Sequence, residues 1–171
     1  MSDNINLNKT KSLKKKIVYI DMDGVIVNFG AAIQDWFDKH PHLVERYKEF
    51  PDHIQGLFRN PPPVEGAIEA IKKLHQSGKY ELFIATAAPW GNASSAGDKR
   101  MWIEDYFGDL FHKKMLITHR KDLLMGDYLI DDRTKNGAGE FSGELLQFGV
   151  NYEDNKVGPY PDWKSILDYL L

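Results

Sequence analysis

Three short runs of this 171-residue chain share one form. KIVYID at residues 16–21, ELFIAT at 81–86 and DYLIDD at 127–132 are each apolar, and each closes on polar residues. Short unbroken apolar runs, as opposed to alternating ones, mark strands buried on both faces. MLIT (115–118) and LLQFGV (145–150) repeat the pattern more weakly. Helical patterns lie between them. Residues 64–74 put Ala67, Ile68, Ile71 and Leu74 on one face. Residues 101–107 continue a helix that Ser94 or Ser95 is positioned to cap, and WKSILDYLL ends the chain with Trp163, Ile166, Leu167, Leu170 and Leu171 as its apolar set. Strands alternating with helices predict an α/β fold around a parallel sheet. Ligands of such sheets gather at the carboxyl ends of the strands, where these runs deliver their polar residues.

Residues 29–63 break the alternation. They hold Trp36, Phe37, Tyr47, Phe50 and Phe58 among prolines at 41, 51, 61, 62 and 63. A crossover helix needs only about a dozen residues, so this longer insertion after the first strand reads as a small helical cap. An ordinary crossover with its aromatics in the core is the alternative. The expected organisation is a lysine-rich flexible tail (1–15), a core of 16–28 and 64–171, and the cap between.

Charge narrows the partners. The chain carries −3 overall, but residues 1–16 hold five lysines and only Asp3, which leaves 17 basic against 24 acidic residues, or −7, for the rest. So acidic a body argues against binding long nucleic acids, which needs clustered positive charge. The chain has no cysteine, which excludes a disulfide scaffold, a thiolate zinc site and a cysteine nucleophile. No apolar run matches a signal peptide's core or a membrane span, so the expected location is cytoplasmic.

The polar residues at the strand ends carry the chemistry. Asp21 and Asp23, two apart in extended chain, project to one side, and Gly24 allows a sharp turn or a close backbone approach. Alone, this is as readily a turn with acidic caps as a site. Asp131 and Asp132 emerge at the end of a second strand, and two such pairs repel unless a cation lies between them. Oxygen-only donors point to a hard ion, with Mg²⁺ the best candidate. Asp127 opens the same strand roughly 16 Å from Asp132, too far to share the ion, and reads as structural. Thr86 offers a hydroxyl and Lys121 a compact positive charge, both suited to a phosphate. The six histidines form no ligand pattern, and GNASSAG (91–97) reads as a mobile lead-in to a helix.

DMDGVIVNF, IAT, Lys121 and LIDDR, in this order, resemble the four motifs of the haloacid dehalogenase (HAD) superfamily of phosphotransferases. DMDGVIVNF, IDDRTKNGAGEF and the closing DWKSILDYL are similar to the 5'(3')-deoxyribonucleotidase branch. The resemblance implies a HAD-like, Rossmann-like three-layer sandwich with a cap after the first strand. It also implies an Mg²⁺-dependent phosphomonoesterase acting on a small phosphomonoester, a 5'-(deoxy)ribonucleotide. Asp21 would be the nucleophile and Asp23 the general acid and base. Mg²⁺ would be held by Asp21, the Asp23 backbone carbonyl and Asp132. Thr86, the Ala87 backbone N–H and Lys121 would bind the phosphate, with Asp131 orienting Lys121 or the metal's waters. Arg133 would tether its loop or pair with an acid.

The branch pattern has a Ser directly after the Thr and a Lys soon after; here Ala87 and Trp90 stand instead. Phe29 matches an aromatic of the base pocket, or else packs in the core, and Trp90 presents an aromatic surface to the same pocket. The alternatives are a HAD phosphatase of another small phosphorylated metabolite, and a receiver-like phosphoacceptor domain, whose acidic pair comes first and whose phosphoacceptor lies on a middle strand.

Overall fold

The computed structural model describes residues 14–151 and 154–171. Most of the lysine-rich tail lies outside the described residues. Five strands, β1 (Lys16–Ile20), β2 (Tyr80–Thr86), β3 (Met115–Ile117), β4 (Tyr128–Asp131) and β5 (Glu144–Gln147), form one sheet in the order β3-β2-β1-β4-β5. Every pairing is parallel, and Ile20 stands level with Ile84 on one side and Ile130 on the other. The chain builds outward from β1 through β2 to β3, then returns to β1's other side. That reversal makes the carboxyl ends of β1 and β4 the sheet's topological switch point, where a crevice opens.

The two faces are covered unequally. Helices α3 (Ala67–Gln76), α4 (Ser95–Phe107) and α5 (Trp163–Leu170) pack Ile71, Leu74, Trp102, Phe107, Trp163 and Ile166 against Val18, Ile20, Leu82, Ile84 and Ile130. The third layer is thin. Leu124, Ala138 and Phe141, in or beside the 3₁₀ turns Lys121–Leu123 and Ala138–Glu140, cover Tyr19, Ala85 and Leu129. The helix expected from residue 64 begins at Ala67, because Gly66 takes φ +74°, a left-handed conformation that cannot continue a right-handed helix. Asp127 is structural, with Oδ2 accepting from the Ile17 N–H at 2.8 Å.

Between β1 and α3 lie α1 (Phe29–Lys39), α2 (Val44–Tyr47) and two 3₁₀ turns, Pro41–Leu43 and Pro51–His53. They gather a separate apolar cluster of Ala32, Ile54 and Leu57 with Trp36, Phe37 and Tyr47 against it. The chain leaves and re-enters the core side by side: Asn28 N–H donates to Pro62 O (2.8 Å) and Val64 N–H to Ile26 O (2.9 Å). The insertion therefore hangs from the switch point on a paired stem. Among the described residues no helix is long and apolar enough to cross a membrane.

Candidate active site

Parallel pairing carries Asp21 to the crevice, its N–H donating to Ile130 O at 2.9 Å, one step beyond the last residue of β1. A tight turn follows, in which the N–H groups of Val25, Ile26 and Val27 all donate to Met22 O. Gly24 sits in it at φ +78°, and a Cβ there would lie 2.5 Å from Asp132 Oδ2. Motif and partner acid thus meet through a position that only glycine fills.

Lys121, from the 3₁₀ turn before β4, is 3% exposed and lies between two acids. Its Nζ donates to Asp21 Oδ1 at 2.7 Å and to Asp131 Oδ2. Burial alone would lower this ammonium's pKa, but the Asp21 and Asp131 charges more than offset it and hold the pKa above the ordinary lysine value. Asp131 Oδ1 accepts from the Arg133 N–H at 3.0 Å, so both oxygens of Asp131 are engaged within the protein. Asp132 differs. Its Oδ1 is buried without a hydrogen bond, the nearest cation being Arg133 Nε at 3.5 Å. Burial first, then the charges of Asp21 and Asp131, push Asp132 up to about 8; burial and Asp21, against Lys121, push Asp131 up to about 6. Among the described residues, Asp21, Asp131 and Asp132 bring carboxylate oxygens within 4.8 Å of one another.

One residue of the site escaped the sequence reading. Lys99, 1% exposed on α4, reaches back to the edge of β2. Its Nζ donates to Asp23 Oδ2 (2.7 Å), Thr86 Oγ1 (3.0 Å) and Ala87 O (2.6 Å), and stands 4.7 Å from the Phe58 ring centroid. Burial raises the pKa of Asp23, Lys99 pulls it back, and Asp21 adds a further upward push. Asp23 Oδ1 is buried without a partner. The signal was available. Ser95, Lys99, Trp102 and Ile103 form the buried stripe of α4, and Lys99 is the one charge on it. A lysine on an apolar face needs a buried counter-charge.

Above these groups opens a cleft of about 780 Å³ between the sheet's carboxyl edge and the insertion after β1. Asp23, Ala87, Asp132 and Arg133 line its floor, with Phe29, Ile33, Phe50 and Phe58 from the cap. Phe29, the first residue of α1, stacks on Phe58 with ring centroids 4.7 Å apart and planes 7° off parallel. Trp90 also lines the cleft and is 98% exposed, a large aromatic with almost no protein contact. The Ser94 expectation is met only in position. Ser94 occupies the N-cap of α4, but its hydroxyl accepts from the Gly56 N–H (2.9 Å) in the insertion and from no backbone N–H of the helix's first turn, which it reaches only by donating to Asp98 Oδ2 (2.7 Å).

A parallel sheet of this order, with acids at its switch point and an insertion hung after β1, is the HAD-like fold. The "putative HAD-hydrolase YfnB" of Bacillus subtilis bound to magnesium superposes with a TM-score of 0.59 at 10% identity, covering 92% of this chain and 99% of that one. A HAD family hydrolase from Deinococcus radiodurans R1 with bound phosphate and sodium gives 0.51 at 14% identity, covering 91% and 88%.

The sequence is more specific. Residues 15–157 match the family described as "5' nucleotidase, deoxy (Pyrimidine), cytosolic type C protein", and the chain belongs to that family. The "Putative 5'(3')-deoxyribonucleotidase" of Vibrio phage KVP40 is 42% identical over 163 residues, covering 95% of this chain and 88% of the relative. The "5'(3')-deoxyribonucleotidase, cytosolic type" of Homo sapiens is 27% identical over 186 residues, covering 88% and 92%. The protein is accordingly a phosphoric monoester hydrolase.

Proposed function

We propose that this hydrolase is Mg²⁺-dependent and dephosphorylates 5'-(deoxy)ribonucleotides through an aspartyl-phosphate formed on Asp21. One observation carries the reading: four carboxylates and two buried ammonium groups converge on the switch point, with Oδ1 of Asp23 and of Asp132 left without a hydrogen bond. The names of the relatives support a nucleotide as substrate.

The donors fit a hard divalent ion, because they are all oxygen, they crowd together, and a buried carboxylate oxygen without a hydrogen bond, such as Asp132 Oδ1, is costly unless something binds it. Asp21, Asp132 and the Asp23 backbone carbonyl would hold Mg²⁺, and Asp131, already bonded on both oxygens, would orient Lys121. Bound there, Mg²⁺ would neutralise charge between the carboxylates and the incoming phosphate.

An Asp21 oxygen attacks phosphorus, and the bond from phosphorus to the leaving oxygen breaks as Asp23 gives that oxygen its proton. The raised pKa of Asp23 suits it to hold that proton. Asp23, now ionised, takes a proton from water whose oxygen attacks the same phosphorus. The bond to Asp21 then breaks, and phosphate leaves. Lys121, the Thr86 hydroxyl and the Ala87 N–H stabilise the non-bridging oxygens. The nucleoside part occupies the cleft, against Phe29 and Trp90.

The test is phosphate release from a panel of phosphomonoesters. Nucleoside 5'-monophosphates should be preferred, EDTA should silence the enzyme and Mg²⁺ restore it. Uncatalysed monoester hydrolysis is so slow that the site must supply on the order of 20 kcal/mol. Asp21→Asn should therefore abolish turnover in a folded protein, and substantial residual activity would remove Asp21 as nucleophile. Preference for another small phosphomonoester would select the metabolite-phosphatase alternative.

A further inference from the structure

The loop after β2 carries Ala87, Pro89 and Trp90 along the cleft and then turns into α4. Asn92 stands in that turn, 2% exposed, and bonds to none of the groups assigned to the chemistry. Its Nδ2 donates to the carbonyls of Asp52 (2.9 Å) and Ile54 (2.8 Å), both in the cap. Two carbonyl acceptors fix the orientation of the amide, since only its nitrogen can donate. Oδ1 accepts from the Ser94 N–H at 3.1 Å. The backbone closes the knot: Asn92 N–H donates to Pro89 O, and Asn92 O accepts from the Ser95 N–H and hydroxyl. The hook from Gly56 to Ser94 lies beside it, and Gly91 abuts the cap's His53 so closely that a Cβ there would meet Nε2 at 2.6 Å. What reads in sequence as a lead-in is a buried clasp.

The clasp ties together two walls of the cleft. Asp52 belongs to the cap wall with Phe50 and Pro51, and Asn92 follows Trp90 by two residues on the loop wall. A buried, fully bonded amide across such a junction fixes geometry more than it adds net stability. The phosphate-binding end is built from other segments, since Ala87 is held by Lys99 from further along α4, Asp21 and Asp132 directly follow β1 and β4, and Lys121 lies in the turn before β4.

We propose that Asn92 is a positioning residue for substrate selectivity. It sets the separation of the cap wall from the Ala87–Trp90 loop, and so the seat of everything in the substrate beyond its phosphate. The proposal rests on the nucleotide reading given above.

Asn92→Ala leaves the carbonyls of Asp52 and Ile54 without their donor. For deoxynucleoside 5'-monophosphates KM is expected to rise about tenfold with kcat little changed. For glycerol 2-phosphate, which has too little beyond its phosphate to fill the cleft, kcat/KM should stay within about twofold. A parallel loss on both substrates would make Asn92 a support of the whole site and overturn the proposal, as would an unchanged nucleotide KM. Ser94→Ala, which keeps both Asn92 bonds to the carbonyls of Asp52 and Ile54 and removes the hydroxyl that accepts from Gly56 and reaches Asn92 Oδ1 and Asp98 Oδ2, should show the same split at smaller amplitude. If Asn92→Ala fails to fold, equal losses on both substrates in Ser94→Ala overturn the proposal. A wild-type protein that turns over nucleotides no better than glycerol 2-phosphate fails the nucleotide reading itself and takes the proposal with it. A wild-type preference that survives Asn92→Ala intact refutes the proposal alone.

Discussion

Replacing Lys99 with methionine removes one charge while keeping most of the side chain's length and apolar bulk. Three groups lose the same donor at once: Asp23 Oδ2, Thr86 Oγ1 and Ala87 O, all within 3.0 Å of Nζ. For stability the effects oppose one another. The buried ammonium no longer has to be desolvated, and Asp23 can take up a proton instead of standing as an unpaired charge. The Thr86 hydroxyl still loses its donor and the Ala87 carbonyl keeps only the longer bond from Thr86 Oγ1 (3.3 Å), so a net loss of about 1–3 kcal/mol is expected. For catalysis nothing compensates. Asp23 must pass between acid and base in one cycle, and a positioned acid–base group contributes about 10²–10⁴ in rate. Lys99→Met should lower kcat at least about a hundredfold in a protein that still unfolds cooperatively. The pH profile carries the sharper test. Lys99 pulls the Asp23 pKa down against burial, so its removal raises that pKa. The first step needs Asp23 protonated, so the alkaline limb of kcat/KM must move to higher pH. Steady-state assays across pH, beside denaturant melts, measure both quantities. A variant that keeps more than about a tenth of wild-type kcat with an unmoved alkaline limb would refute the role given to Lys99.

Three further outcomes follow from the same geometry. Asp132, pushed up to about 8, and Asp131, pushed up to about 6, hold protons in the fold that the unfolded chain would release, so stability in EDTA should fall as pH rises from about 5 to about 8. Mg²⁺ needs the ionised carboxylate, so its calorimetric affinity should rise up to about tenfold per pH unit across the upper part of that range, and flat profiles in both measurements would contradict the assignment. Gly24→Ala forces a left-handed residue costing about 1–2 kcal/mol and drives a methyl into Asp132 Oδ2, so it should lower the denaturation midpoint and abolish phosphatase activity together. Trp90→Ala should leave Tm unchanged, since the ring touches almost nothing, yet raise the nucleotide KM about tenfold, as loss of one base–aromatic stack would.

Strand placement was legible because β1, β2 and β4 are short apolar runs that lead to the candidate site residues, and the parallel register then brings Asp21 and Asp132 to one crevice without further information, whereas β3 and β5 repeat the pattern more weakly. The thin third layer was not legible. Leu124, Ala138 and Phe141 cover their face from 3₁₀ turns, which leave no helical periodicity to find. Asn92 was hidden for a related reason: a short polar run has no period, and its partners are backbone carbonyls some forty residues away. Lys99 differs from both, since its place on the apolar stripe of α4 was visible once the stripe itself was drawn.

Lys99 also changes what the acidic balance of the chain means. Asp21, Asp23, Asp131 and Asp132 account for a large share of the body's −7, and with Lys121 as their only counter-charge the crevice would repel a phosphate. The structure adds Lys99 on Asp23 and Arg133 beside Asp132, so three cations stand among four acids. With all four acids ionised, which for Asp132 means above about pH 8, the site is then nearly balanced, and a single divalent ion makes its net charge positive. At the separations and burial found here that change of sign decides the electrostatics, because charges in a partly dehydrated crevice interact several times more strongly than in water. Above about pH 8, titrating the metal should therefore bring phosphate binding with it: inorganic phosphate should bind weakly in EDTA and more tightly once Mg²⁺ is added, and in the Asp132→Asn variant Mg²⁺ should enhance that binding far less. Equal phosphate affinity with and without the ion would mean that Lys99, Lys121 and Arg133 already outweigh the acids, and the charge balance drawn here would be wrong.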